Sequence, residues 1–230
     1  MRMRADRANT NIETKMPQYV PLVRSVLCVA GLRLFAGSTP VYGQAGATRH
    51  GGWFTFDLAY GSAHLSCDTC RQRPHVDGFN VILGLGGTRS PQLRLGAVLD
   101  VWEHWFPDGE TLRAITTARA SLYYYPRIQS GFFLDTGAGV SNYRVLKGLR
   151  EGFLFENADV TYYSGTGLGF TVGLGYDARV SRSLSIRSRV AYAHADVGTL
   201  HSPPGAAVAS GWTQNVLSLG VGMLLGFSPD

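Results

Sequence analysis

The chain has 230 residues, of which 16% are charged, well below the roughly 25% of a soluble globular protein. Glycine is abundant, at 29, aromatics make up 11%, and no apolar run reaches the roughly 18 residues of a spanning helix. Disorder, a coiled coil and a polytopic helical membrane protein are excluded, and a glycine- and aromatic-rich all-β chain is favoured. The net charge of +5 is unevenly placed: residues 1–47 hold six basic and two acidic residues, leaving 15 basic and 14 acidic for 48–230. A nucleic-acid partner is therefore not expected, because the folded part lacks a net positive patch.

Residues 16–47 read as an export leader. Arg24 supplies the basic start, Ser25–Gly37 the apolar stretch, and Ala45-Gly46-Ala47 the small-x-small cleavage pattern. Residues 1–47 are thus expected to be an N-terminal extension with a cleaved signal peptide, and Met16 is a plausible start. Residues 48–230 then form the folded part. Cys28 falls inside the leader and follows Leu27, where a lipoprotein cysteine wants a small residue.

From Gly52 onward the pattern has period 2, the signature of strands rather than helices. Gly52–Leu65 sets Phe54, Phe56, Leu58 and Tyr60 against Trp53, Thr55, Asp57 and Ala59. Gly78–Thr88 carries Phe79, Val81, Leu83 and Leu85 on one face. Gln92–His104 sets Leu93, Leu95, Ala97, Leu99 and Val101 against Arg94, Gly96, Val98, Asp100 and Trp102. Thr111–Tyr125 sets Ala114, Thr116, Ala118, Ala120 and Leu122 against Arg113, Thr117, Arg119 and Ser121. Gly131–Val145, Tyr162–Val180 and Ser183–Val197 repeat the rule, with Asp135, Asp177, Arg187 and Arg189 on the polar side. Val216–Phe227 closes the series, with Leu217, Leu219, Val221, Met223, Leu225 and Phe227 in one ridge. These eight segments are long enough for the 9–11 or so residues a tilted strand needs to cross a bilayer.

The connections alternate. Arg89-Ser90-Pro91, Pro126–Ser130 and Ser181-Arg182-Ser183 read as short turns. Ser66–Asp77, Lys147–Thr161 and Gly198–Ser210 read as long loops, with Phe106–Glu110 a short exception. In an up-and-down meander this places short turns at one rim and long loops at the other. Within the first long loop, Cys67 and Cys70 could be a redox pair, half of a metal site completed by His64 and His75, or a local disulfide. A loop disulfide is the favoured reading for an exported chain, and no metal is expected.

The polar faces decide the solvent. The folded part has one lysine, Lys147, whereas mid-strand polar positions carry Asp57, Arg94, Asp100, Arg113, Arg119, Asp135, Asp177, Arg187 and Arg189. Mixed Arg and Asp among small residues suit a narrow interior where guanidinium and carboxylate pair. The aromatics Trp102, Trp105, Phe106, Tyr123, Tyr124, Tyr125, Phe132, Phe133, Tyr162, Tyr163, Trp212 and Phe227 fall near strand ends and are expected to form two interfacial girdles. The expected fold is an all-β, eight-stranded antiparallel up-and-down transmembrane β-barrel.

On these features the chain resembles the small eight-stranded outer-membrane barrel proteins of bacteria, the OmpA-, OmpX- and OmpW-like group, over about residues 50–227. The resemblance implies the cell outer membrane, contact with membrane lipid and lipopolysaccharide, and a terminal strand ending in Phe227 that the barrel-assembly machinery reads. Ser228-Pro229-Asp230 after Phe227 departs from that pattern.

Catalytic chemistry is sparse in the sequence. Gly165–Gly175 alternates and opens no helix, so it is no phosphate cradle, and no cofactor is expected. Some barrels of this group modify lipid A, and His194 with Asp196 and Ser164 or Ser210 is the one combination to weigh. An eight-stranded barrel is about wide enough for its own side chains. A structural or surface-interaction role without catalysis is therefore expected. The alternatives are a narrow channel for a small or hydrophobic solute, toward which Ile82, Val98 and Ile115 point, and a lipid A-modifying enzyme.

Overall fold

A computed structural model describes residues 49–68, 70, 75–108, 111–147, 160–203 and 205–227. The predicted leader, with Cys28, lies outside the described residues, as does most of the Lys147–Thr161 connection. Eight strands follow one another: β1 Gly52–Ser66, β2 Val76–Ser90, β3 Leu93–Trp105, β4 Thr111–Tyr124, β5 Phe132–Lys147, β6 Val160–Arg179, β7 Leu184–Ser202 and β8 Ala206–Phe227. Each pairs antiparallel with its sequence neighbour, and β8 returns to β1, closing the ring. Among the described residues there is no helix.

The alternation read from the sequence is the pleat of this ring. In β1, Trp53, Thr55, Asp57 and Ala59 are buried, while the residues between them face outward. Closure also imposes a stagger. From Asp57 the register runs through Ile82, Asp100, Thr117 and Ser141 to Gly167 on β6. In the other direction it runs through Gly222 and Arg187 to Asp177 on the same strand, ten residues away. That offset tilts the strands and sets which side chains share a level inside.

One connection differs from its expectation. Gly198–Ser210 is not a long loop. The β7–β8 ladder continues to Ser202↔Ala206, making strands of 19 and 22 residues. Gly198, Pro203, Gly205 and the small residues from Ala206 to Ser210 read as turn-formers, which hid the ladder. Register shifts at Gly198 and Leu200 interrupt it, and Gly198 adopts φ 72°, a backbone conformation that favours glycine. Val197 and Leu200 still turn inward and are buried.

Candidate functional site

The lumen holds the residues that carry chemistry. All nine polar-face charges named from the sequence lie on strands of the ring, and only Asp100 is less than fully buried. Asp135 sits between two arginines. Arg119 donates to both its oxygens at 3.3 Å, and Arg189 Nη2 donates to Oδ2 from across β6. Gly173 lies opposite Asp135 and leaves that path open. Asp177 is the second centre: Arg187 donates from Nε at 2.8 Å and Nη2 at 3.1 Å, and Tyr125 donates at 2.6 Å. Arg94 completes it, donating to the Tyr125 oxygen at 3.1 Å and lying 3.9 Å from the carboxylate.

These four arginines outnumber the two carboxylates that bind them, and aromatic faces make up the difference. Arg187 lies over Tyr123 at 5.0 Å and Phe133 at 4.6 Å, and Arg94 lies 5.3 Å from the Tyr125 centroid. Arg49, ahead of β1, stacks on Tyr125 at 3.9 Å and donates to Ile128 O at 2.9 Å, tying the start of the barrel to the β4–β5 turn. The other three charges stand apart. Asp100 accepts from Asn80 at 2.9 Å, Arg113 covers the Phe106 ring at 5.0 Å, and Asp57 makes no ion pair among the described residues.

The sequence reading missed what fills the rest of the lumen. Trp102, Tyr123, Tyr125, Phe133 and Trp212, expected in the girdles, point inward and are buried. Their neighbours Tyr124, Phe132 and Trp105 face out, as does Phe227, and Tyr162 and Tyr163 are both exposed where the β5–β6 register shifts. The signal was present: period 2 forbids Tyr123, Tyr124 and Tyr125 from sharing a face. Near the turn rim, Trp53, Tyr123, Tyr125 and Phe133 pack with Ile82 and Val98. Toward the loop rim, a second apolar cluster joins Trp102, Ile115, Tyr143, Leu200, Trp212 and Val216, with Cys67 and Cys70 against it. The channel-facing Ile82, Val98 and Ile115 thus lie within packed clusters.

Cys67 and Cys70 are joined in a disulfide, so neither thiol serves a metal. His64 and His75 lie beside one another, with rings 5.2 Å apart. Within the weighed Ser/His/Asp combination, His194 and Asp196 share a face of β7 but each bonds elsewhere. His194 packs on Phe170 at 5.3 Å and shares a 2.7 Å hydrogen bond with Asn215. Asp196 accepts from Gly198 N at 3.0 Å, Ser164 pairs with His201, and Ser210 donates to Asp68 at 3.3 Å.

The outer face is the reverse of the lumen. Leu217, Leu219 and Val221 are 58%, 50% and 57% exposed, while Arg187 and Arg189 are 1% and 4% exposed. Phe79, Leu85, Leu168, Phe170, Val172 and Leu174 continue the exposed apolar belt around the ring. No water-soluble surface carries a belt of this extent, whereas a bilayer demands it. The chain is a membrane-spanning β-barrel.

Comparison with known proteins bears on this fold alone. No protein-family model matches the chain, and no curated protein sequence matches it. Similar solved structures include neisserial surface protein A, at 19% identity and TM-score 0.49, covering 76% of this chain and 97% of that one. The attachment invasion locus protein Ail of Yersinia pestis aligns at 12% identity and TM-score 0.46, covering 76% and 99% of the two chains. Outer membrane protein OprG of Pseudomonas aeruginosa aligns at 14% identity and TM-score 0.40, covering 80% and 99%. The membrane-spanning character itself rests on the barrel's own outward-facing belt and charged lumen.

Proposed function

We propose that this chain is a bacterial outer-membrane barrel with a closed lumen and a structural and surface-contact role. One observation carries the reading: charge centres on Asp135 and Asp177 and a separate apolar cluster around Trp102 and Trp212 occupy successive levels of the same interior. A solute would have to displace buried ion pairs and packed aromatics together, each costing several kcal/mol. The purified barrel, shown to be folded by heat-modifiable migration in detergent, is expected to give no discrete openings in planar bilayers. Stepwise conductance in the folded protein would reject the closed lumen. Migration unaffected by heating, together with a soluble cellular fraction, would reject the membrane class.

The same reading assigns the barrel no catalysis, because His194, Asp196 and the serines are engaged apart from one another. An unchanged lipid A acyl pattern on expression is the matching result. The outer belt meets membrane lipid, and the loop rim faces the lipopolysaccharide leaflet. Phe227 ends β8, is 56% exposed and pairs with Gly52, which suits a recognition residue for the barrel-assembly machinery. Phe227→Ala is expected to slow assembly in cells several-fold while leaving the stability of the refolded barrel nearly unchanged, because the ring faces outward and packs little. Pulse-labelled appearance of the heat-modifiable form measures this, and wild-type kinetics would remove the role.

A further inference from the structure

The two rims differ sharply in charge. The turn rim holds Arg49, Arg89, Arg127, Arg179 and Arg182, and among the described residues no exposed carboxylate accompanies them. Among the described residues of the loop rim, the exposed or half-buried carboxylates Asp68, Asp77, Glu103, Asp108 and Asp196 outnumber the exposed cations Arg144 and Lys147. Not all turn-rim arginines are equivalent. Arg49 and Arg179 spend their guanidinium groups on turn carbonyls: Ile128 O at 2.9 Å for Arg49, Ser181 O at 3.1 Å and Arg182 O at 2.9 Å for Arg179. Arg89, Arg127 and Arg182 are exposed and make no ion pair among the described residues.

Apolar side chains accompany this charge at the turn tips. Ile128, next to Arg127, is 50% exposed, and Val180, next to Arg179, is 59% exposed. Directly above stand the outward rings of Tyr124, Phe132, Tyr176 and Phe227. Beside Gln92, residues Arg127 to Ser130 line a shallow groove of about 540 Å³. Cations and exposed aliphatic side chains lie side by side at the turn tips, next to outward aromatic rings at the edge of an apolar belt, a combination that suits the charged and apolar parts of a phospholipid leaflet. A purely aqueous polyanion would be met by the arginines but not by Ile128 and Val180.

We infer that the turn rim is a docking surface for anionic phospholipid headgroups, with Arg89, Arg127 and Arg182 holding their phosphates. This rests on the membrane-barrel reading and adds a lipid preference for one leaflet. The preference is expected to be on the order of fivefold per free arginine, and to weaken with salt.

The test uses the full folded barrel in phosphatidylcholine vesicles doped with phosphatidylglycerol. Spin-labelled phosphatidylglycerol and phosphatidylcholine report the composition of the lipid shell. Wild-type barrel is expected to enrich the anionic label, and R89Q/R127Q/R182Q to approach parity while keeping heat-modifiable migration. R144Q/K147Q at the other rim is expected to retain the enrichment. Equal shells for wild type, an enrichment untouched by the triple variant, or one lost in R144Q/K147Q would each overturn the inference and leave the barrel standing. Binding of the wild-type barrel to soluble peptidoglycan fragments without lipid enrichment would also overturn it. Failure to insert into any vesicle would instead remove the barrel reading itself.

Discussion

Asp135→Ala is expected to lower the stability of the barrel by about 3–5 kcal/mol, the usual cost of removing one partner from a buried ionic cluster. Asp135 is buried, and its two oxygens receive hydrogen bonds from Arg119 and Arg189. Taking it away strands two guanidinium groups in the lumen. Arg119 keeps Ser121 as a partner, but the described residues offer Arg189 no second carboxylate within ion-pair distance. Urea unfolding in lipid vesicles, followed by tryptophan fluorescence, measures the change. Replacing all three residues by apolar side chains of similar size is expected to cost less than the single substitution, because no charge is then left unpaired. A change below about 1 kcal/mol in Asp135→Ala, the range of an exposed ion pair, would show that the network is solvated and that the lumen is open to water.

Trp102→Ala is expected to cost a comparable amount, about 3–5 kcal/mol, by a different route. Trp102 is 1% exposed in the loop-side cluster, and its indole Nε1 donates to Gly61 O at 3.1 Å. Its space depends on glycine: a Cβ at Gly78 would lie 2.7 Å from Trp102 Cε2. Truncation leaves a cavity that the closed wall of paired strands cannot collapse around. Urea unfolding again reports the loss. Conductance is expected to stay absent in this variant, since the Asp135 and Asp177 centres still fill the other level. Openings in Trp102→Ala alone would place the whole seal in the apolar cluster.

Much of the candidate site was legible from single residues. Asp57, Arg94, Asp135, Asp177, Arg187 and Arg189 could be assigned to the lumen because each falls on the parity opposite to the apolar ridge of its strand. Tyr125 and Phe133 were assigned to the girdles on position alone, although their parity placed them inside with the arginines they cover. Arg49 gave no signal, since it precedes the first strand and acts only through contacts with the β4–β5 turn.

The sequence by itself determined the strand number, the face each residue takes within the unbroken strand runs and the inversion of apolar outside and charged inside. These follow from the direction of each side chain along an extended backbone, which is a local covalent property. Only the tertiary structure decided the partners. The β5–β6 and β6–β7 registers set Asp135 opposite Gly173 and Gly173 opposite Ala191, two residues from Arg189, which reaches Asp135 across the intervening strand. The length of the β7–β8 hairpin depended on pairing between two weak segments, Val197–Ser202 and Ala206–Gln214, neither of which carries a strong strand signal alone. The meander already placed the turns carrying Arg89, Arg127 and Arg182 at one rim, whereas the structure decided which rim arginines are tied to turn carbonyls, as Arg49 and Arg179 are.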